Sequence, residues 1–155
     1  YVPGEEYDVA ALGDGDGGLV GAVPMKKLFL TDKGKGWAGV TVGENSLIDV
    51  THRVMKGMKW SGPCEVEVVH SKDDGKFYLL EINPRFPAWI YLSAGAGQNL
   101  PAACARMASC ETIDPLPRYQ VGKMFVRISL DQIADFRDFA DIMAHGRILR
   151  DEVEA

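Results

Sequence analysis

Polar and apolar residues alternate along Cys64-Glu65-Val66-Glu67-Val68-Val69, with the glutamates on one side and Cys64, Val66 and Val68 on the other. A period of two is the mark of a strand. A second apolar strand, Leu79-Leu80-Glu81-Ile82-Asn83, runs into Pro84-Arg85-Phe86. Between them, Ser71-Lys72-Asp73-Asp74-Gly75-Lys76 is a strong hairpin-turn signal. Upstream, Glu6 to Leu12 reads as a strand and Ala38 to Val42 as a short one. Leu19 to Leu30 carries β-type residues and Pro24. From Asn45 to Met58, Leu47, Val50, Val54 and Met58 recur at three- and four-residue spacing, which predicts an amphipathic helix capped by Asn45 or Ser46.

Beyond Arg85, Pro87 to Ala94 predicts a helix ending at Gly95-Ala96-Gly97. Asn99 or Leu100 opens another, with Pro101 in its first turn, running to about Cys110. Thr112 to Pro117 is a Pro-rich connector and Gly122 to Ile128 a strand. Ser129-Leu130-Asp131-Gln132 has the form of a capping box, and the helix it opens carries Ile133, Phe136, Ala140 and Met143 and stops at Gly146. The pattern divides the chain into residues 1–117 and a strand–helix extension, 118–155. The fold class expected is α+β, a mainly antiparallel sheet with flanking helices.

Two glycine-rich stretches bear on chemistry. Gly13, Gly15 and Gly18 match G-x-G-x-x-G in form, but the next element, from Leu19, reads as a strand and not as the helix a dinucleotide fingerprint needs. A hairpin turn is the better reading. Asp14 and Asp16 suggest part of a calcium loop, but its other ligands and closing Glu are absent. Thr31 to Trp37 is a basic loop in which Lys33 and Lys35 either offer charges to phosphate or belong to an ordinary surface turn.

The 155 residues are 46% hydrophobic, enough for a core, and the formal net charge of -5 argues against a nucleic-acid surface. No apolar run approaches the roughly 20 residues of a membrane span. Cys64, Cys104 and Cys110 are odd in number and lack C-x-x-C spacing, which reads as reduced thiols in a cytoplasmic protein. His52 reads as a surface residue, and His70 stands at the hairpin edge. The chain opens on Tyr1-Val2-Pro3-Gly4-Glu5-Glu6, the approach to a strand, so part of a longer protein is expected upstream.

The candidate chemistry lies on the two acidic strands. Folded antiparallel, they bring Glu67 near Glu81 and Asn83. Two carboxylates and an amide oxygen facing one cavity suit a hard divalent cation whose remaining ligands are phosphates and water. The bland alternative is an edge hairpin with a solvated acidic face. Arg85 lies on the same side if the extended run continues past Pro84, and its planar fork suits phosphoryl oxygens. Its alternative is an ion pair with Glu65. Lys27 and Lys35 are expected to face the same cleft as Arg85.

Gly4-Glu5-Glu6-Tyr7-Asp8-Val9, Val23-Pro24-Met25-Lys26-Lys27, Gly62-Pro63-Cys64-Glu65-Val66-Glu67 and Tyr78-Leu79-Leu80-Glu81-Ile82-Asn83-Pro84-Arg85 together resemble the C-terminal half of an ATP-grasp domain. The flavour is that of the carbamoyl-phosphate-synthetase-like branch, with biotin carboxylase and D-alanine–D-alanine ligase as more distant relatives. The resemblance covers roughly residues 1–110. It implies that Glu67, Glu81 and Asn83 hold magnesium, with manganese as a substitute, on the phosphates of ATP. It implies that Arg85 contacts the transferred phosphoryl group, that Glu6 lies near the ribose hydroxyls and that Val69 packs on adenine. The implied reaction is ADP-forming carboxylate–amine ligation through an acyl phosphate, with a small-molecule carboxylate and an amine as substrates.

The family's N-terminal lobe, with its phosphate-contacting lysines and flap, has no counterpart in this chain. That lobe of the same protein is the partner expected, and the present segment alone is expected to be inactive. Surface left exposed without it can drive homo-oligomerisation. The competing reading is a truncated or degenerate ATP-grasp module that binds nucleotide or a protein partner without chemistry.

Overall fold

A computed structural model describes residues 2–31 and 36–149. Among them, one antiparallel sheet comprises β1 (Gly4–Asp14), β2 (Leu19–Leu30), β3 (Gly36–Thr41), β4 (Ser61–Ser71), β5 (Phe77–Asn83) and β6 (Met124–Val126). Its spatial order is β5-β4-β1-β2-β3-β6. The helices are α1 (Asn45–Met58), α2 (Tyr91–Gly95), α3 (Leu100–Ala108) and α4 (Phe136–His145). This is the α+β arrangement that the hydrophobic pattern predicts. No helix among the described residues is long and apolar enough to cross a membrane.

Central position makes β1 apolar on both faces. Val9 and Ala11 point to one core, with Val66, Val68 and the Leu47, Val50 and Met55 face of α1. Ala10 and Leu12 point to the other, with Val23, Met25, Trp89, Leu92, Leu100 and Ala103. The sheet is therefore covered by α1 on one face and by α2, α3 and Tyr119 on the other. Beyond the second helical layer, that face carries polar side chains, and the candidate site lies there.

The Gly13–Gly18 stretch is the turn of the β1–β2 hairpin. Gly15 and Gly17 adopt φ of 91° and 101°, conformations that only glycine takes readily. The Asp14 carboxylate accepts from the backbone N–H groups of Asp16 and Gly18 at 2.8 and 2.9 Å, and these bonds hold its pKa below the usual range.

Several local expectations are corrected. α1 is capped by Glu44, whose carboxylate accepts from Ser46 N at 3.1 Å, and not by Asn45 or Ser46, which are helical. Ser129 to Gln132 forms no capping box. Asp135 caps α4, accepting from Arg137 N, so Ile133 lies outside the helix. Pro87 to Ile90 is turn-like and only Tyr91–Gly95 is helical, while the strand expected at Gly122 to Ile128 shortens to β6. α3 is capped by Asn99, accepting from Ala102 N at 3.1 Å.

Candidate functional site

Register decides which side chains meet. In the β1–β4 pair, Glu6 faces Val69, Asp8 faces Glu67 and Ala10 faces Glu65. In the β4–β5 pair, Glu67 faces Glu81 and Glu65 faces Asn83. Cross-strand partners share a face, so Glu6, Asp8, Glu65, Glu67, Glu81 and Asn83 lie on one surface. Lys27 joins them from β2. The surface lines a cleft of about 560 Å³ that also holds Arg85, Trp89 and Arg127.

Glu67, Glu81 and Asn83 converge as the strand alternation predicts. The Asn83 amide donates to Glu67 Oε1 at 3.1 Å and to Glu81 Oε1 at 2.8 Å. Burial raises the Glu67 pKa, Lys27 pulls it down and the Glu81 carboxyl beside it pushes it up. Glu81 is held low by its bond from Asn83 and by Glu67.

Lys27 is buried among acids. Its Nζ lies 3.1 Å from Glu6 Oε2, 3.1 Å from Asp8 Oδ1 and 3.0 Å from Glu67 Oε2. Burial alone would lower its pKa, but Asp8 and Glu67 outweigh burial and raise it. Asp8 is the most perturbed carboxyl of the cleft. Burial pushes it up to about 7 against the pull of Lys27, and the Glu67 charge adds to the rise. Its Oδ1 is an ion-pair neighbour of Lys27 without an aligned hydrogen bond.

The chain stops being extended at Asn83, where Arg85 N bonds back to Asn83 O at 2.8 Å. The condition under which strand alternation alone would align Arg85 is therefore not met. The guanidinium still enters the cleft, because Glu65 Oε2 accepts from its Nη1 at 2.7 Å. The other oxygen of Glu65 accepts from Trp89 Nε1 at 3.0 Å. Glu6 pairs with Lys27 at the rim. Val69 is buried on the same face, two positions past Glu67. Lys35 and Lys33 lie outside the described residues.

Asp8, Trp89 and Arg127 escape the sequence reading of the site. Asp8 carried a signal: an acid at an inward position of a strand otherwise apolar from Tyr7 to Leu12. Trp89 and Arg127 carried none, since their positions depend on contacts distant in sequence.

The donors fit a hard divalent cation. Among the described residues, Glu6, Asp8, Glu65, Glu67 and Glu81 share the cleft with Lys27, Arg85 and Arg127, an excess of acids over cations. Carboxylate oxygens of Asp8, Glu65 and Glu67 lie within 4.8 Å of one another. Glu65 is committed to Arg85 and Trp89. Lys27 pairs with one oxygen of Glu67 and with Asp8, while Asn83 joins the other oxygen of Glu67 to Glu81, so Glu67, Glu81 and Asn83 are the set best able to receive an ion. Rotation of the Asn83 amide exchanges its donor for its oxygen, as an ion between the carboxylates requires.

A family model described as "ATP-grasp in the biosynthetic pathway with Ter operon" matches residues 1–127, and the chain belongs to that ATP-grasp family. No curated protein matches by sequence. Solved structures share the fold. A pyruvate carboxylase from Rhizobium etli superposes with a TM-score of 0.64 at 17% identity, over 77% of this chain and 13% of that one. A biotin carboxylase–beta-gamma-ATP complex from Campylobacter jejuni gives 0.64 at 16%, over 80% and 29%. Kluyveromyces lactis urea carboxylase gives 0.62 at 18%, over 79% and 12%. The chain thus spans less than a third of each of these proteins.

Proposed function

We propose that this lobe supplies the metal, nucleotide and phosphoryl contacts of an ATP- and magnesium-dependent carboxylate–amine ligase that forms ADP through an acyl phosphate. The observation that carries the reading is the meeting of Glu67, Glu81 and Asn83 on the face that holds Lys27 and Arg85. The ATP-grasp family and the similarity to a biotin carboxylase–ATP complex support it.

In this reading Glu67, Glu81 and Asn83 hold magnesium, which neutralises phosphate charge when bound. Manganese substitutes for it. Lys27 fixes Glu67 and Asp8 and keeps the acidic cluster folded. Val69 gives the adenine an apolar surface and Glu6 meets the ribose. Arg85 donates to the group in transfer, where charge builds, so its contribution falls on the chemical step. The amine then displaces phosphate from the activated carboxylate.

Glu81→Gln in the full-length protein tests the reading. Glu81 is exposed, so its loss costs little folding energy. The magnesium concentration for half-maximal ADP formation should rise at least about tenfold, in line with the sensitivity of metal sites to ligand loss. An unchanged magnesium dependence with full activity would sink the assignment.

A further inference from the structure

The charged cleft continues past Arg85. Ala88, Trp89 and Arg127 line both it and a second cavity, of about 410 Å³, between α2 and β6. The second cavity is mostly apolar, walled by Tyr91, Leu92, Phe125 and Ile128, and Lys123 also lines it. Trp89 stands at the seam, buried and fixed through its indole N–H by Glu65. Arg127 is anchored at the sheet edge by its backbone N–H to Trp37 O at 2.9 Å.

The cations of the cleft are unequal. Lys27 is neutralised by Glu6, Asp8 and Glu67, and Arg85 is held by Glu65. Among the described residues, the Arg127 guanidinium has no ion pair. A guanidinium with no ion pair among the described residues, set between the acidic cleft and an apolar groove, is complementary to an anion with an apolar body.

We propose that the substrate activated at this site is an apolar-bodied monocarboxylate. Its carboxylate pairs with Arg127 and its aryl or branched alkyl group fills the groove between α2 and β6. The inference rests on the ligase reading for what happens to the carboxylate. One carboxylate oxygen attacks the γ-phosphorus of ATP, the bond to the bridging oxygen breaks and ADP leaves. A nitrogen nucleophile then adds to the acyl carbon, phosphate leaves and the nitrogen loses a proton. Burial in the groove is worth roughly fourfold in affinity per methylene.

The test uses the full-length enzyme with ATP, magnesium and hydroxylamine, which converts an acyl phosphate to a hydroxamate. The probes are 3-phenylpropionate, acetate and succinate, and calorimetry measures 3-phenylpropionate binding without ATP. The expected kcat/KM for 3-phenylpropionate exceeds that for acetate by about 100-fold or more. Phe125→Ala, on the α2 side of β6, should shrink that preference at least about tenfold, and Arg127→Gln should weaken 3-phenylpropionate binding by about tenfold or more. Arg127→Lys should recover part of the loss.

Equal or better use of acetate or succinate overturns the assignment. So does a folded Phe125→Ala enzyme with its preference intact, or one that merely changes from dimer to monomer, which would make the groove an interface between copies. If calorimetry shows binding that both variants abolish while no probe yields hydroxamate, the groove assignment stands and the ligase reading falls. Hydroxamate from succinate with no 3-phenylpropionate binding gives the reverse. If neither appears, both fall.

Discussion

Glu65 and Arg85 form a 2.7 Å ion pair whose two ends differ in surroundings: the Glu65 side chain is 6% exposed and that of Arg85 55%. Glu65 is held on both oxygens, by Arg85 and by Trp89, so it acts as a buried post that positions an exposed guanidinium. The pairing with Glu65 that competed with a phosphoryl role in the sequence is thus present, and it leaves part of the Arg85 fork facing the cleft. A structural pair and a catalytic contact are compatible here.

Arg85→Lys separates the two roles. Lysine keeps the charge near Glu65 and loses the planar fork. If Arg85 stabilises the group in transfer, kcat of the full-length enzyme should fall by about 10²-fold or more, as on removal of a preorganised donor. The affinity for ATP and the melting temperature should change little. Wild-type kcat with a lowered melting temperature would assign Arg85 to structure alone.

Lys27 is the opposite case, a cation buried with its acids. Lys27→Met leaves Asp8 and Glu67 without their counter-charge and should cost about 3 kcal/mol in urea unfolding at neutral pH. Adding Asp8→Asn to that variant removes one orphaned carboxylate and should restore part of the loss. Additive single effects in this double-mutant cycle would show that the two groups do not interact.

How much of the site was legible depends on sequence distance. Glu67, Glu81 and Asn83 lie on strands joined by a short turn, so alternation and antiparallel pairing were enough to bring them together. Alternation also puts Val69 on the Glu67 face, while its place at adenine comes only from the ATP-grasp resemblance. Asp8 and Lys27 meet across the β1–β2 hairpin, whose register shifts between Leu12 and Gly13, and no pattern of alternation encodes that irregularity. Arg127 reaches the cleft because β6 pairs with β3, where Val126 faces Ala38. That pairing depends on packing across a long stretch of chain. Helix existence was clear from the apolar period, but the caps were not, because Glu44 and Asp135 bond locally from positions that the apolar pattern does not mark.

Gly39 is glycine because of what crosses it. A Cβ there would collide with the Met25 sulfur and approach the Phe125 ring to 3.0 Å. Met25 is fully buried and cannot swing away cheaply. Gly39→Ala should therefore destabilise the lobe by about 1–3 kcal/mol, the range for overpacking a filled core. Chemical denaturation measures it, and an unchanged midpoint would show that β3 and β6 are free to part.

Cys64 gives the pH dependence that can be read most cleanly. Its thiol is buried on the α1 face, and burial, with the charge of Glu65 in second place, pushes it up to about 12. In the unfolded chain the thiol ionises at about 8.5. Above that pH the unfolded state holds fewer protons than the folded one, so stability falls as pH rises. The slope is about 1.4 kcal/mol per pH unit from about 9 until the folded thiol itself ionises. Cys64→Ala should flatten that alkaline limb, at the cost of a small loss at neutral pH. Thiol labelling checks the same burial: a neutral-pH reagent should modify exposed Cys110 promptly and Cys64 only on unfolding. Equal labelling rates for the two in the native protein, or an alkaline limb identical in Cys64→Ala, would show that the thiol is open to solvent.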